Sequence, residues 1–388
     1  MNKNRLLSIA LTIIVYLAAI GSSYALFSEN PKTSKVIKTS LPITGTPGKL
    51  AFDEALPKTE ACPLSGALYS KPQKEWWEKH RPIGIMVENH EESRPQSGLS
   101  SADVIYEAVA EGSITRFLAV FYCQDAGVVG PVRSARTYFL DWISEYGDYP
   151  LYAHVGGANT PGPANSLGQI EDYGWLAYND LSQFSLGYPT FKKIEQPNGR
   201  EVATEHTVFS STDELWKVAV ARKLTNVNKD GESWDVKFVA YSFKDDALAS
   251  DRPQSQSIHL EQWEGFKQYA IDWAYDKKSN VYKRNSAGVA HIDHNNNKQL
   301  TAKNIVALKM IERHANDGYE NNVHLLYRTK GLGKANIFMD GRETIGTWRK
   351  DSRTARTLLF DNEGAPIKFN KGTTWFEILP TNGVLTVK

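Results

Sequence analysis

Residues 81–90 read RPIGIMVENH, and the segments that follow repeat the same grammar: a short apolar run that ends in charge. Ile83, Ile85 and Val87 with Met86 between them have the pattern of a strand, and Glu88-Asn89-His90 stands at its end. Turn residues lead to Asp103–Ala110, with apolar Val104, Ile105, Ala108 and Val109, and then to a strand over Phe117–Tyr122. Strands that run into charged loops are where sites form, so the charged residues around these ends are the first candidates for function.

Working outward, Gly127–Pro131 is a turn, and Ser134–Tyr146 carries helical spacing with Tyr138, Trp142 and Ile143 on one face. Leu151–Gly157 reads as a strand ending in a glycine pair, followed by a Gly/Pro/Asn-rich loop. Helices are expected over Asn165–Tyr173 and Ser211–Lys223, the second with a capping Ser211 or Thr212 ahead of Asp213 and Glu214. Lys223–Ser233 is polar and marks a boundary. Beyond it the chain alternates as β structure: Trp234–Phe243, Ala270–Tyr275, Val281–Arg284, Val323–Tyr327, Ala335–Met339, Glu343–Trp348, Pro366–Phe369 and Thr373–Leu379. Turn signals such as Asp340-Gly341 and Asn382-Gly383 separate several of these runs. The fold class is therefore α+β: a mixed α/β domain at 61–224, then a mainly antiparallel β domain at 230–388, a small barrel or sandwich.

Ahead of these lie Lys3 and Arg5, then an apolar run from Leu6 to Phe27 broken by small and polar residues. This is an export signal. It is long enough to remain as a membrane anchor through residues 6–27, and Ser23-Tyr24-Ala25 also offers a cleavage site. The charge bias places everything after it outside the cytoplasmic membrane. Residues 28–60, with Pro31, Pro42, Pro47 and Pro57, read as a disordered tether. A net charge of +1 without a basic stripe excludes a nucleic-acid binder. Two cysteines, Cys62 and Cys123, could pair or stand as separate buried thiols. Neither has a histidine at zinc-ligand spacing, and Asp293–Asn297 lacks the glycine and distal glutamate of a calcium loop, so no metal and no cofactor are assigned.

The chemistry concentrates in the first domain. Glu88, His90, Asp103 and Glu107 are candidate bases; Arg94, Glu111, Arg116, Arg133, Arg136, His154 and His206 are candidate ligand-binding residues. Residues 130–136, GPVRSAR, place Arg133 and Arg136 at the entrance of the expected helix, where free N–H groups already favour anions. No nucleophile stands out, because Ser97 and Ser134 lack an elbow motif. A competing reading makes Glu111, Arg116, Arg133 and Arg136 a buried ion-pair network that serves only the fold.

The segments RPIGIMVENH, RPQSGLSSADVIYE (94–107), EGSITRFLAVF (111–121) and GPVRSAR resemble the N-terminal domain of the YerB-like bacterial lipoprotein family. YDKKSNVYKR (275–284), HIDHNNNKQLTAKNIV (291–306) and DGRETIGTWRK (340–350) resemble its C-terminal domain. The resemblance runs from Cys62 to Leu379. It implies a two-domain extracytoplasmic protein and carries no activity or catalytic residue. Family lipoproteins have a cysteine just after the export segment; here none precedes Cys62. Three functions are compatible with these observations. The first is binding of an anionic cell-envelope glycan or phosphorylated polymer through the arginines, with Tyr138, Trp142 and Trp175 stacking on sugars unless they are core. The others are an envelope phosphoryl or glycosyl transferase, similar in kind to the LytR-CpsA-Psr enzymes though without a shared motif, and a scaffold recruiting proteins through the β-rich domain.

Overall fold

Strand content follows the apolar alternation. In the computed structural model, residues 49–388 are described; the export segment expected at 1–27 and most of the expected tether lie outside them. Among the described residues no helix is long and apolar enough to cross a membrane. Residues 49–60 differ from the tether expectation. Lys49 Nζ donates to Ser101 at 2.9 Å, and Lys58–Ala61 pairs as a strand with Leu68–Ser70. A disulfide joins Cys62 to Cys123.

The first part of the chain supplies β1 (Ile83–Glu88), β2 (Val104–Glu111), β3 (Ile114–Phe121), β4 (Leu151–His154) and β5 (Asp180–Ser182). The second part supplies β6 (Ser257–Glu261), β7 (Ile271–Asp276), β8 (Val281–Ser286), β9 (Asn304–Met310) and β10 (Gly331–Met339). It continues with β11 (Arg342–Lys350), β12 (Leu358–Asp361), β13 (Thr374–Pro380) and β14 (Val384–Val387). Ten of these make a single sheet in the order β12-β11-β10-β9-β13-β2-β3-β1-β4-β5. At the seam β13 lies between β9 and β2 and runs parallel to both, with Glu377 opposite Glu107.

Period-two alternation sends side chains to two separate cores. Met86, Tyr106, Leu118, Tyr152, Val306, Ile337 and Phe376 face the short helix Thr137–Ile143. Ile85, Val87, Ile105, Phe117, Ala153, Ile305 and Trp375 face Leu215 and Trp216 of the helix Thr212–Ala221, and Trp273 of a smaller sheet. That smaller sheet, ordered β8-β7-β6-β14, covers this face. The C-terminal part is mostly strand, but it is not a free-standing barrel or sandwich. Its longest strands extend the sheet begun by the N-terminal part. The expected strand at Trp234–Phe243 is largely irregular: only Ser242–Lys244 pairs, in parallel, with Lys368–Asn370. Its aromatic residues instead dock on the core, Trp234 against Tyr122 and Phe238 against Tyr146.

Candidate functional site

The β2–β3 hairpin is shaped by a bulge between Val109 and Glu111 and by left-handed backbone at Gly112 (φ +54°) and Ser113 (φ +68°). This turn carries Glu111 over Arg116, on the neighbouring strand. One carboxylate oxygen of Glu111 accepts from Arg116 Nη2 and the other from Arg136 Nη2. The remaining terminal nitrogens reach main chain: Arg116 Nη1 donates to Ser134 O at 3.2 Å and Arg136 Nη1 to Ala135 O at 2.8 Å. Both Nε atoms are buried without a hydrogen-bond partner among the described residues. Burial favours the neutral form of Glu111, but the two guanidinium groups outweigh it and hold the carboxyl at about 2. Two cations thus share one anion, and that anion remains 26% exposed. Arg136 is the residue before the helix Thr137–Ile143, which spans seven residues; its guanidinium turns to Glu111 rather than capping the helix.

A second group adjoins through the pairing of Glu88 with Arg116 across β1 and β3. Arg133 Nε donates to Glu88 Oε1 at 3.0 Å, and His206 Nδ1 meets Glu88 Oε2 at 2.7 Å. Burial acts to raise the Glu88 pKa, yet His206 and Arg133 bring it below the ordinary value. His206 Nε2 lies 3.4 Å from Glu92 Oε2, and the half-buried His90 ring stacks on His206 at 4.8 Å.

Other candidates serve the fold. Glu107 is sealed at the seam, where Arg284 Nη2 donates to it at 2.6 Å and Thr115 Oγ1 at 2.7 Å. Arg284 Nη1 donates to His291, whose other nitrogen meets Gln96 Oε1, both at 2.6 Å. Beside it, burial and the adjacent Glu107 push Glu377 well above the carboxylate range. Asp103 accepts from the Tyr122 and Cys123 amides at 2.8 and 2.9 Å; burial raises it to about 6. His154 is fixed between Gly156 O (2.6 Å) and Asp180 (2.7 Å). Arg94 binds Asn89 Oδ1 and O, both at 3.0 Å. Of the aromatic residues read as sugar platforms, Trp142 stacks on Tyr106 in the core at 5.5 Å and Trp175 is buried. Cys62 and Cys123 are consumed by their bond.

Directly after Arg136, Thr137 and Tyr138 form one wall of a cavity of about 390 Å³. Asp141, Tyr173 and Tyr327 also line it, and Arg313, Arg328 and Lys330 stand exposed at its edge. Lys330 Nζ is 2.9 Å from Asp141, which leaves the lining with three cations to one carboxylate. These three basic residues were not among the sequence candidates. The sequence carries no distinct signal for them: Arg313 stands apart from Arg328 and Lys330, with Asp317 and Glu320 between.

Comparison with known proteins adds the family. Residues 65–225 match the "Protein of unknown function (DUF3048) N-terminal domain" and residues 262–376 the corresponding C-terminal domain. "Putative lipoprotein YerB" of Bacillus subtilis (strain 168) is 27% identical over 327 residues, covering 84% of this chain and 89% of that protein. The crystal structure of Bacillus subtilis YerB has the same fold, with a TM-score of 0.68 at 24% identity, over 85% of this chain and all of that one.

Proposed function

Since this chain belongs to the YerB-like two-domain family, one relative in which bears the name "Putative lipoprotein YerB", we propose that it works on the extracytoplasmic face of the membrane as a binding protein for an anionic envelope glycan. One observation carries this reading: the cavity lined by Asp141, Tyr138, Tyr173 and Tyr327 has an excess of cationic side chains, Arg313, Arg328 and Lys330, at its edge. Guanidinium groups match phosphate oxygens in pairs, and tyrosines offer faces to sugar rings. Binding is favoured over group transfer because Asp103 and Glu107 are enclosed by structural hydrogen bonds, and Glu88 is engaged by Arg133 and His206.

The test is titration of the full-length protein with N-acetylglucosamine 1-phosphate and, in parallel, with neutral N-acetylglucosamine. Saturable binding of the phosphorylated sugar alone is expected, weakened roughly tenfold by Arg313→Ala and by Lys330→Ala, the loss typical of one charge-assisted hydrogen bond. Both side chains are exposed, so the variants should fold as the parent does. Equal binding of the two sugars, or no effect of either variant, would overturn the proposal.

A further inference from the structure

His90, Glu92 and His206 come together from two distant parts of the chain, with one donor atom of each lying within 4.8 Å of the others. The ionised Glu88 receives the Nδ1 proton of His206 at 2.7 Å, with Ser93 Oγ also 3.3 Å from that nitrogen. The other ring nitrogen, Nε2, lies 3.4 Å from Glu92 Oε2. In a tetrahedral zinc site with metal–ligand distances of about 2.0–2.1 Å, neighbouring donors are separated by about 3.4 Å, the spacing between His206 Nε2 and Glu92 Oε2. The carboxylate–histidine pair formed by Glu88 and His206 is also the arrangement that fixes the tautomer and orientation of metal-bound histidines.

We propose that His90, Glu92 and His206 bind one zinc-type divalent cation, with Glu88 positioning His206. His90 Nδ1 accepts from the Glu92 amide at 3.3 Å, so Nε2 is its metal donor, and the half-buried ring tilts out of its stack on His206 to reach the ion. Arg200 holds the intervening loop by donating to Glu92 O at 2.8 Å and Arg94 O at 2.7 Å. Two nitrogens and one carboxylate suit zinc; calcium and magnesium require more oxygen donors than stand here. Glu92 is exposed, so the fourth position opens to solvent and would hold water.

The experiment is isothermal titration of EDTA-treated full-length protein with zinc chloride, beside magnesium chloride as control. One equivalent of zinc should bind with micromolar or tighter affinity, and magnesium should not. His90→Ala and Glu92→Gln, at half-buried and exposed positions, should each weaken zinc at least tenfold. Glu88→Gln should weaken it about 10- to 100-fold through loss of orientation. His259→Ala, in a separate surface cluster with Glu261 and Asp272, should leave it unchanged. Absence of zinc binding by the parent protein, or binding undiminished in both His90→Ala and Glu92→Gln, would overturn the site.

Discussion

At Glu111 one carboxylate stands against two nearly buried guanidinium groups, and replacing it isolates what that ion pair contributes to folding. Glu111→Gln leaves Arg116 and Arg136 without their counter-ion and should destabilise the protein by about 2 kcal/mol. That is less than for a fully buried pair, because Glu111 is partly exposed. The pH dependence has a definite sign. The folded-state pKa lies below the ordinary 4.5, at about 2. The stabilisation is therefore complete above pH 4.5 and is lost as pH falls toward 2. Urea midpoints of parent and variant should differ clearly at pH 6 and draw together as pH falls from 4.5 through 2; a constant gap would contradict the ion-pair account.

At the scale of elements, the legible parts of the fold were those with strict alternation or clear caps. Ile83–Val87 announced β1 through its period of two, and Ser211 caps the Thr212–Ala221 helix by accepting from Glu214 N at 3.2 Å, as its sequence suggested. The central strand β9, NIVALKM, escaped notice: a short apolar run flanked by polar residues does not say whether it is helix or strand. Trp234–Phe243 misled for the opposite reason, since aromatic residues docking on the core from an irregular segment imitate strand alternation. The contact between β1 and the Thr137–Ile143 helix yields a prediction. A Cβ at Gly84 would lie 2.6 Å from Ile143 Cδ1 and 2.8 Å from Leu118 Cδ1, both fully buried in the core. Gly84→Ala should therefore cost about 1–3 kcal/mol by overpacking, read from the shift in denaturant midpoint at unchanged slope. A shift equivalent to less than 0.5 kcal/mol would mean that the helix moves aside freely.

Over the whole molecule, the partnerships that assemble the clusters span separations no local pattern reveals: Glu88 meets His206, and Glu107 meets Arg284. Residue types marked both as chemically interesting, but only the fold makes Glu88 part of a solvent-edged cluster and Glu107 part of a sealed seam. That seam bears on how the chain folds. Without the second part, β2 loses its parallel partner β13, and Tyr106 loses Phe376, stacked on it at 4.7 Å. Glu107 would also face no Arg284. The two faces of β1–β5 would in addition lose the apolar cover of Trp273, Trp375 and Phe376, and losing burial of that size takes away a large share of the stability of a typical domain. A fragment ending at residue 225, where the first family match stops, should therefore lack fixed tertiary structure, whereas the intact chain should unfold in a single transition of its shared sheet. Near-ultraviolet circular dichroism and urea titration of the two proteins test this directly. A sharp cooperative transition in the fragment would show that β1–β5 form a self-sufficient unit and that the ten-stranded sheet is assembled from two independently stable halves.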